Sequence, residues 1–263
     1  MQPHRTTDLS NVFAHQRFPR ASTYHPDWVI DGHMGENPLW LAEWLCEIIN
    51  IQPGARVLDL ACGKALTSVF LAEQYGAQVV ACDLWIKPTE NWQRIRNAEL
   101  SEKIIPVQVE AHQMPFADGY FDVVVCVNAY NYFGTDENYL KYLAQFVRPG
   151  GTIGIVIPGW HNEVKHIPEH LTQPGERNGG VFYSHEMAIH DAAWWRSHLG
   201  KTPSVADIKA EKMSDGGHIW AEWENRKKEY FGWEIQGDYG QAIINDDNRN
   251  LTFLRIVANK AEE

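Results

Sequence analysis

Between Arg56 and Ile157 short apolar runs alternate with stretches whose apolar residues recur at helical spacing. Val57-Leu58-Asp59-Leu60 is closed by Ala61-Cys62-Gly63-Lys64, after which Leu66, Val69, Phe70 and Leu71 fall on one helical face: strand, turn, helix. That helix stops near Gly76, and Gln78 to Cys82 makes a second strand that ends in Asp83. A helix over Asn91 to Leu100 and a strand through Ile105 to Val109 follow. Phe121 to Val127 is a near-continuous β-branched run, the pattern of a central strand buried on both faces. Helical spacing returns at Tyr139, Tyr142, Leu143 and Phe146, Pro149-Gly150-Gly151 reads as a turn, and Thr152 to Ile157 is the next strand. Strands alternating with helices in this way predict a parallel sheet with helices on both faces and right-handed crossovers. Ligands of such sheets bind beyond the carboxyl ends of the strands, so the polar residues that close the strands are the ones to inspect.

The flanks are patterned differently. Leu39, Trp40, Leu41, Trp44, Leu45 and Ile48 mark a helix from about Pro38, preceded by irregular chain and placed where it can cover the site. Pro158 to Tyr183 is rich in Pro, Gly, His and charge and too long for a tight turn, which suggests a lid or substrate loop. Beyond it, helices are expected over His185 to Leu199 and Trp220 to Tyr230, with strands over Asp207 to Met213 and Leu251 to Ala258.

Composition narrows the function classes. With 23 Lys plus Arg against 34 Asp plus Glu, the net charge of −11 offers no global basic field, which argues against a nucleic-acid partner. No run approaches the roughly 18 apolar residues of a membrane span, and Met1 to Arg20 is polar without an apolar signal core, so a cytoplasmic protein with no membrane partner is expected. Cys46, Cys62, Cys82 and Cys126 stand singly among apolar neighbours, as buried thiols in a reduced compartment do. His161, His166 and His170 invite a metal reading, but their spacing and the lack of accompanying cysteines favour a solvated loop, and no metal is expected.

At Gly63 the missing side chain lets the backbone approach a ligand, and the helix that follows presents free N–H groups to an anion. Asp83, twenty residues on, sits where a carboxylate accepts hydrogen bonds from ribose hydroxyls. Together they point to a nucleoside-containing cofactor. Asp59 either braces the turn through backbone N–H groups or receives an amine of the ligand. A dinucleotide site wants G-x-G-x-x-G, whereas Ala61-Cys62-Gly63-Lys64-Ala65-Leu66 lacks two of those glycines, and no Walker pattern is present. An NAD-type oxidoreductase therefore becomes the weaker reading.

Five blocks in register, Val57 to Gly63, Ala81-Cys82-Asp83-Leu84, Glu110 to Phe116, Phe121 to Val125 and Val147 to Gly151, make residues 50 to 160 resemble the class I S-adenosylmethionine-dependent methyltransferases, and among them the small-molecule branch of generic bacterial enzymes. The resemblance implies an α/β fold with a Rossmann-like, doubly wound, seven-stranded mixed sheet, in which five parallel strands are followed by a C-terminal antiparallel pair. It implies a single domain over 1–263: an N-terminal helical cap at 1–50, a cofactor-binding core at 51–157, a lid loop and helix at 158–204, and C-terminal strands and helix at 205–263. It places Ala61, Cys62, Gly63 and Lys64 against the methionine part of S-adenosylmethionine, Asp83 on the ribose, Leu84 on the adenine face, Glu110, Ala111 and His112 around the adenine, and Asn128 beside the methionine part and the substrate opening. The sequence departs from the family pattern at Ala61 and Ala65, where glycine is usual, and at Glu110, where Asp is commoner.

Methyl transfer asks mainly for alignment, because the sulfonium is already activated. A base becomes useful when the acceptor is a hydroxyl or a protonated amine. His33, Tyr130 and His161 are the candidates for such a base, His33 and Tyr130 foremost and each with a structural alternative, and Tyr130, Trp160 and His161 are the candidate substrate contacts, with Tyr132 beside them. The tryptophans of the flanking elements, Trp233 among them, read either as helix-on-sheet packing or as an aromatic pocket for a flat or cationic acceptor. The leading expectation is methyl transfer from S-adenosylmethionine, yielding S-adenosylhomocysteine, to a small-molecule O, N, S or C nucleophile by a monomer or homodimer. A non-catalytic cofactor-binding or regulatory protein of the same fold is the alternative. Asn128-Ala129-Tyr130-Asn131 lacks the Asn/Asp-Pro-Pro-aromatic signature of amino-group DNA methyltransferases.

Overall fold

A computed structural model of the chain describes residues 9–172, 188–232 and 238–262. The elements run α1 (Pro26–Gly32), α2 (Pro38–Cys46), β1 (Arg56–Leu60), α3 (Leu66–Tyr75), β2 (Gln78–Asp83), α4 (Pro88–Asn97), β3 (Ile104–Gln108), β4 (Phe121–Val127), α5 (Tyr139–Gln145), β5 (Val147–Trp160), α6 (Glu169–Thr172), α7 (Ala192–Leu199), β6 (Val205–Lys212), α8 (Gly216–Phe231), α9 (Asp238–Asp246) and β7 (Leu251–Lys260). The strands form one seven-stranded sheet in the order β3-β2-β1-β4-β5-β7-β6, with β4 at its centre. β1 to β5 are parallel, and β7 runs antiparallel between β5 and β6. The doubly wound mixed sheet and the antiparallel C-terminal pair are those implied by the sequence resemblance.

Alternation along each strand sends side chains to two cores. Val57, Val79, Val123 and Val125 pack with α2, α3, Ile95 of α4, Trp220 and Trp223 of α8 and Ile243 of α9. Leu58, Val124, Cys126, Ile153 and Ile155 pack with Leu140 and Leu143 of α5 and Trp195 and Leu199 of α7. Trp40, Trp195, Trp220 and Trp223 are fully buried, so these four flanking tryptophans build the helix-on-sheet packing; Trp233 lies outside the described residues.

Several boundaries differ from the sequence expectation for identifiable reasons. α4 begins three residues early because Pro88 opens it, where a missing N–H costs nothing. The chain ahead of Pro38 is not wholly irregular: His25 caps α1 by accepting from the Asp27 N–H, and Pro26 again takes the first turn. Pro149-Gly150-Gly151 is not a turn before a strand but an irregular stretch inside the 14-residue β5, where Val147 already pairs with Phe121 and the register shifts before Val123. A Cβ on Gly151 would stand 2.8 Å from the Asp122 carbonyl, so the close approach of the two strands admits only glycine there. α9 was not foreseen. The helix expected from His185 begins at Ala192 among the described residues, with Asp191 as its N-cap, and 185–187 lie outside them. Of the lid expected over Pro158 to Tyr183, Pro158 to Trp160 belong to β5, and 173–183 lie outside the described residues.

Candidate active site at the carboxyl ends of the strands

Asp83 ends β2, and Gly63, Glu110 and Asn128 follow the carboxyl ends of β1, β3 and β4, so the four share one edge of the parallel sheet. The turn after β1 carries positive φ at Ala61 (58°), Gly63 (53°) and Ala65 (63°). Alanine in that region costs on the order of 1 kcal/mol. The chain thus keeps the backbone of a glycine-rich turn at the two positions where its sequence has lost the glycines.

Asp83 splints this turn to the next. Its Oδ2 accepts from the Gly63 N–H at 2.9 Å, and its Oδ1 accepts from the N–H groups of Trp85 at 2.8 Å and Ile86 at 2.9 Å. A carboxylate offers about four acceptor positions, so with three taken Asp83 has room for about one further donor. Asn91 of α4 braces the same turn by donating to the Gly63 carbonyl at 2.9 Å. Cys62 is buried within it.

Asp59 does brace the turn, but through side chains rather than backbone. Thr67 and Ser68, in the first turn of α3, both donate to its Oδ2 at 2.6 Å. Oδ1 is buried with no partner among the described residues. Burial pushes the carboxyl up to about 6, against the pull of those two hydroxyls.

Beyond β3, Glu110 is committed to its neighbour. Its two oxygens accept from the His112 N–H at 2.8 Å and meet His112 Nδ1 at 2.7 Å. Burial works the other way, but these bonds hold the Glu110 carboxyl below its usual range. Ala111, between them, accepts the Tyr139 hydroxyl on its carbonyl at 3.3 Å. Leu84 is 48% exposed beside Asp83, as an open face for a planar ligand has to be. Asn128 sits at φ 59° with its N–H on the Val156 carbonyl at 2.8 Å, and its Oδ1 is buried without a partner among the described residues.

From the cap, the end of α1 closes onto the first turn. Lys64 Nζ donates to the Asp31 carbonyl at 2.5 Å, Gly32 packs on Leu66, and Met34 lies over Gly63. His33 points Nδ1 at the Ile30 carbonyl at 2.7 Å. A carbonyl only accepts, so Nδ1 carries the proton and Nε2 keeps its lone pair. Burial, reinforced by Lys227 and Lys64 and opposed by the Ile30 bond, lowers the proton affinity of His33. Its ring meets Trp223 edge-on at 5.4 Å, and Trp223 donates to the Gly35 carbonyl at 3.0 Å.

Tyr130 lies inside the packing rather than on an open face. It is fully buried among Phe133, Tyr139 and Trp195, its hydroxyl has no partner among the described residues, and burial raises the phenol far above its ordinary value. Its ring packs against these three aromatics. Tyr132, two residues on, is 54% exposed. Trp160 is likewise buried, at the end of β5. His161 is held on three sides, by the Asn250 carbonyl, the Lys212 ammonium and, through Nε2 at 2.9 Å, Asn248. Among the described residues no group of three or more His, Cys, Asp or Glu is placed to hold a metal ion. Sequence reasoning missed Met34, Asn91 and Thr67-Ser68, whose roles depend on which turn they fold against.

Residues 57–151 match the family model of the methyltransferase domain. The demethylmenaquinone methyltransferase of Corynebacterium glutamicum is 33% identical over 183 residues, 67% of this chain and 73% of that protein. The chain belongs to the class I S-adenosylmethionine-dependent methyltransferases. Another relative of this methyltransferase, GfsG of Streptomyces halstedii, is 26% identical over 50% of the chain, which spans only 48% of that protein's length. The phosphoethanolamine N-methyltransferase 2 of Haemonchus contortus, solved with S-adenosylmethionine, superimposes with a TM-score of 0.71 over 97% of the chain and 60% of its own at 16% identity, a likeness of fold.

Proposed function

We propose that this protein transfers a methyl group from S-adenosylmethionine to a small-molecule acceptor. The observation that carries the reading is the set of unspent acceptors at one edge of the sheet. Asn128 Oδ1 is buried with no partner among the described residues, Asp83 keeps room for another donor, and both flank a turn whose backbone lies in the left-handed region. An ammonium and a ribose are donor groups, so the residues fit this cofactor. Bound there, it supplies an activated methyl group on a sulfonium. Asp83 would take a ribose hydroxyl, Leu84 an adenine face, and the Glu110–His112 pair with Ala111 the adenine edge. Ala61 to Lys64 and Asn128 would take the methionine part, and Asp59 would set the turn from behind. His33, with Nε2 unprotonated, is a hydrogen-bond acceptor on the acceptor side.

In this reading the whole chain is one domain, with the cap before Ile51 and the α8–α9 region closing over the core. The acidic balance supports a small molecule over nucleic acid. No helix of the described residues is long and apolar enough to cross a membrane. Isothermal titration with S-adenosylmethionine and S-adenosylhomocysteine tests the reading, with NAD and Asp83→Asn as controls. Micromolar binding of both, weakened in the variant, is expected. A folded protein that binds neither overturns the proposal, and binding with no turnover on any acceptor favours the non-catalytic alternative.

A further inference from the structure

Sulfur is the side-chain element that peroxides oxidise most readily, and ionisation and burial decide which sulfur reacts first. The four thiols are poor targets. Cys46, Cys62, Cys82 and Cys126 are all buried, and burial raises each of them, Cys46 and Cys82 to about 12, so none is a thiolate near neutral pH. A thioether has no proton to lose, so a methionine competes by access alone. Met114 and Met213 are buried, whereas Met34 is 52% exposed, the most open methionine among the described residues.

Its position gives that access a consequence. Both neighbours of Met34 are tied down, His33 through Nδ1 to the Ile30 carbonyl at 2.7 Å and Gly35 through its carbonyl to the Trp223 indole N–H at 3.0 Å. The side chain between them lies on the candidate cofactor turn: Sδ is 2.9 Å and Cγ 3.7 Å from where a β-carbon on Gly63 would stand. Met34 thus fills the side-chain space that Gly63 leaves empty. Only an apolar group suits that space. The N–H groups of Cys62, Gly63 and Ala65 go to the Cys82 carbonyl, Asp83 and the Cys62 carbonyl, and the Gly63 carbonyl receives Asn91. An oxygen placed on this sulfur finds no donor on Gly63, and a polar atom buried without a partner is unfavourable.

We propose that Met34 is an oxidation site through which a hydroperoxide weakens cofactor binding, an inference that rests on the methyltransferase reading. A lone pair of the thioether sulfur forms the bond to one peroxide oxygen as the O–O bond breaks. Sulfur is oxidised to the sulfoxide, and hydrogen peroxide is reduced, its second oxygen leaving as water with both protons. The new oxygen turns from Gly63 to solvent and draws the side chain off the turn, which opens the contact between the cap and the first strand-to-helix loop. Methionine sulfoxide reductase reverses the change: two thiols supply the electrons, the oxygen leaves as water and the thiols become a disulfide.

The test exposes the full chain to millimolar hydrogen peroxide, removes the excess with catalase, and follows peptide masses together with S-adenosylmethionine affinity by calorimetry. Met34 is expected to gain one oxygen ahead of Met114 and Met213 while the cysteines stay unmodified. Affinity is expected to fall roughly tenfold in a protein that remains folded by circular dichroism, and to return after treatment with the reductase. Met34→Leu keeps an apolar side chain of similar volume and has no sulfur, so the same treatment is expected to change its affinity less than about twofold from its own untreated value. Met34→Gln carries a polar group to the same place and is expected to bind roughly tenfold more weakly without any peroxide. Oxidation of the buried methionines first, a Met34 sulfoxide that binds as tightly as before, or an equal loss in Met34→Leu overturns the proposal. Absence of binding before any peroxide is added refutes the methyltransferase reading, and the role of Met34 falls with it, whereas intact binding with the wrong oxidation order sinks the Met34 site alone.

Discussion

Replacing Asp83 with alanine unties two turns at once. Three backbone N–H groups lose a charged acceptor, and they differ in what replaces it. Trp85 is 73% exposed and the turn it belongs to faces solvent, so the N–H groups of Trp85 and Ile86 turn to water at a cost of about 0.5–1 kcal/mol each. The Gly63 N–H lies deeper, against a carboxylate only 6% exposed, and leaving it unpaired costs about 2 kcal/mol. The loss is about 3–4 kcal/mol, which for a domain of this size lowers Tm by roughly 6–16 °C. Asp83→Asn keeps one oxygen for Trp85 and Ile86 and loses about half as much. Thermal unfolding of the three proteins without cofactor checks the ranking. An alanine variant melting within about 2 °C of wild type would refute the splint. If the ranking holds, loss of cofactor binding in the alanine variant reports a collapsed turn as much as a missing ribose contact, and only the asparagine variant isolates the latter.

The remaining predictions use the same interactions. Burial raises Asp59 to about 6, so the folded protein holds a proton there that the unfolded chain releases near its ordinary value. Stability contributed by Asp59 therefore falls as pH rises from about 4 to 6, by roughly 3 kcal/mol, and Asp59→Asn lacks that slope. Urea unfolding at about pH 4 and pH 7 measures it, and parallel behaviour of the two proteins contradicts it. A methyl group on Gly32 would stand 1.7 Å from Leu66 Cδ1, so Gly32→Ala is expected to cost about 1–3 kcal/mol and to weaken S-adenosylmethionine binding by lifting α1 off the turn. Unchanged stability and affinity would show that α1 is not a seal. Tyr130→Phe removes a buried hydroxyl that has no partner among the described residues, and it is expected to leave stability within about 1 kcal/mol and turnover intact. A tenfold loss of turnover would restore a catalytic part to this phenol.

Strand identity was legible because β-branched runs such as Phe121 to Val127 encode burial on both faces directly, whereas the seven-stranded mixed topology followed from the family resemblance. Short helices opened by proline were harder, since seven residues at Pro26–Gly32 are too few to display a period. At the site, Gly63 and Asp83 announced themselves by type and position. The left-handed backbone of Ala61 and Ala65 did not, because that conformation is ordinarily read from glycine.

The order of the sheet also governs how the molecule is assembled. β7, the final strand, lies between β5 and β6, and β6 touches the sheet through β7 alone. Until residue 260 has been synthesised, β5 therefore presents an unpaired edge carrying Ile153, Ile155 and Ile157, all buried in the finished protein. An exposed apolar edge is a template for pairing with another chain. The interval between translation of Trp160 and insertion of Leu251–Lys260 is thus the period in which a nascent copy is open to aggregation, and a C-terminal truncation that removes β7 would make that state permanent.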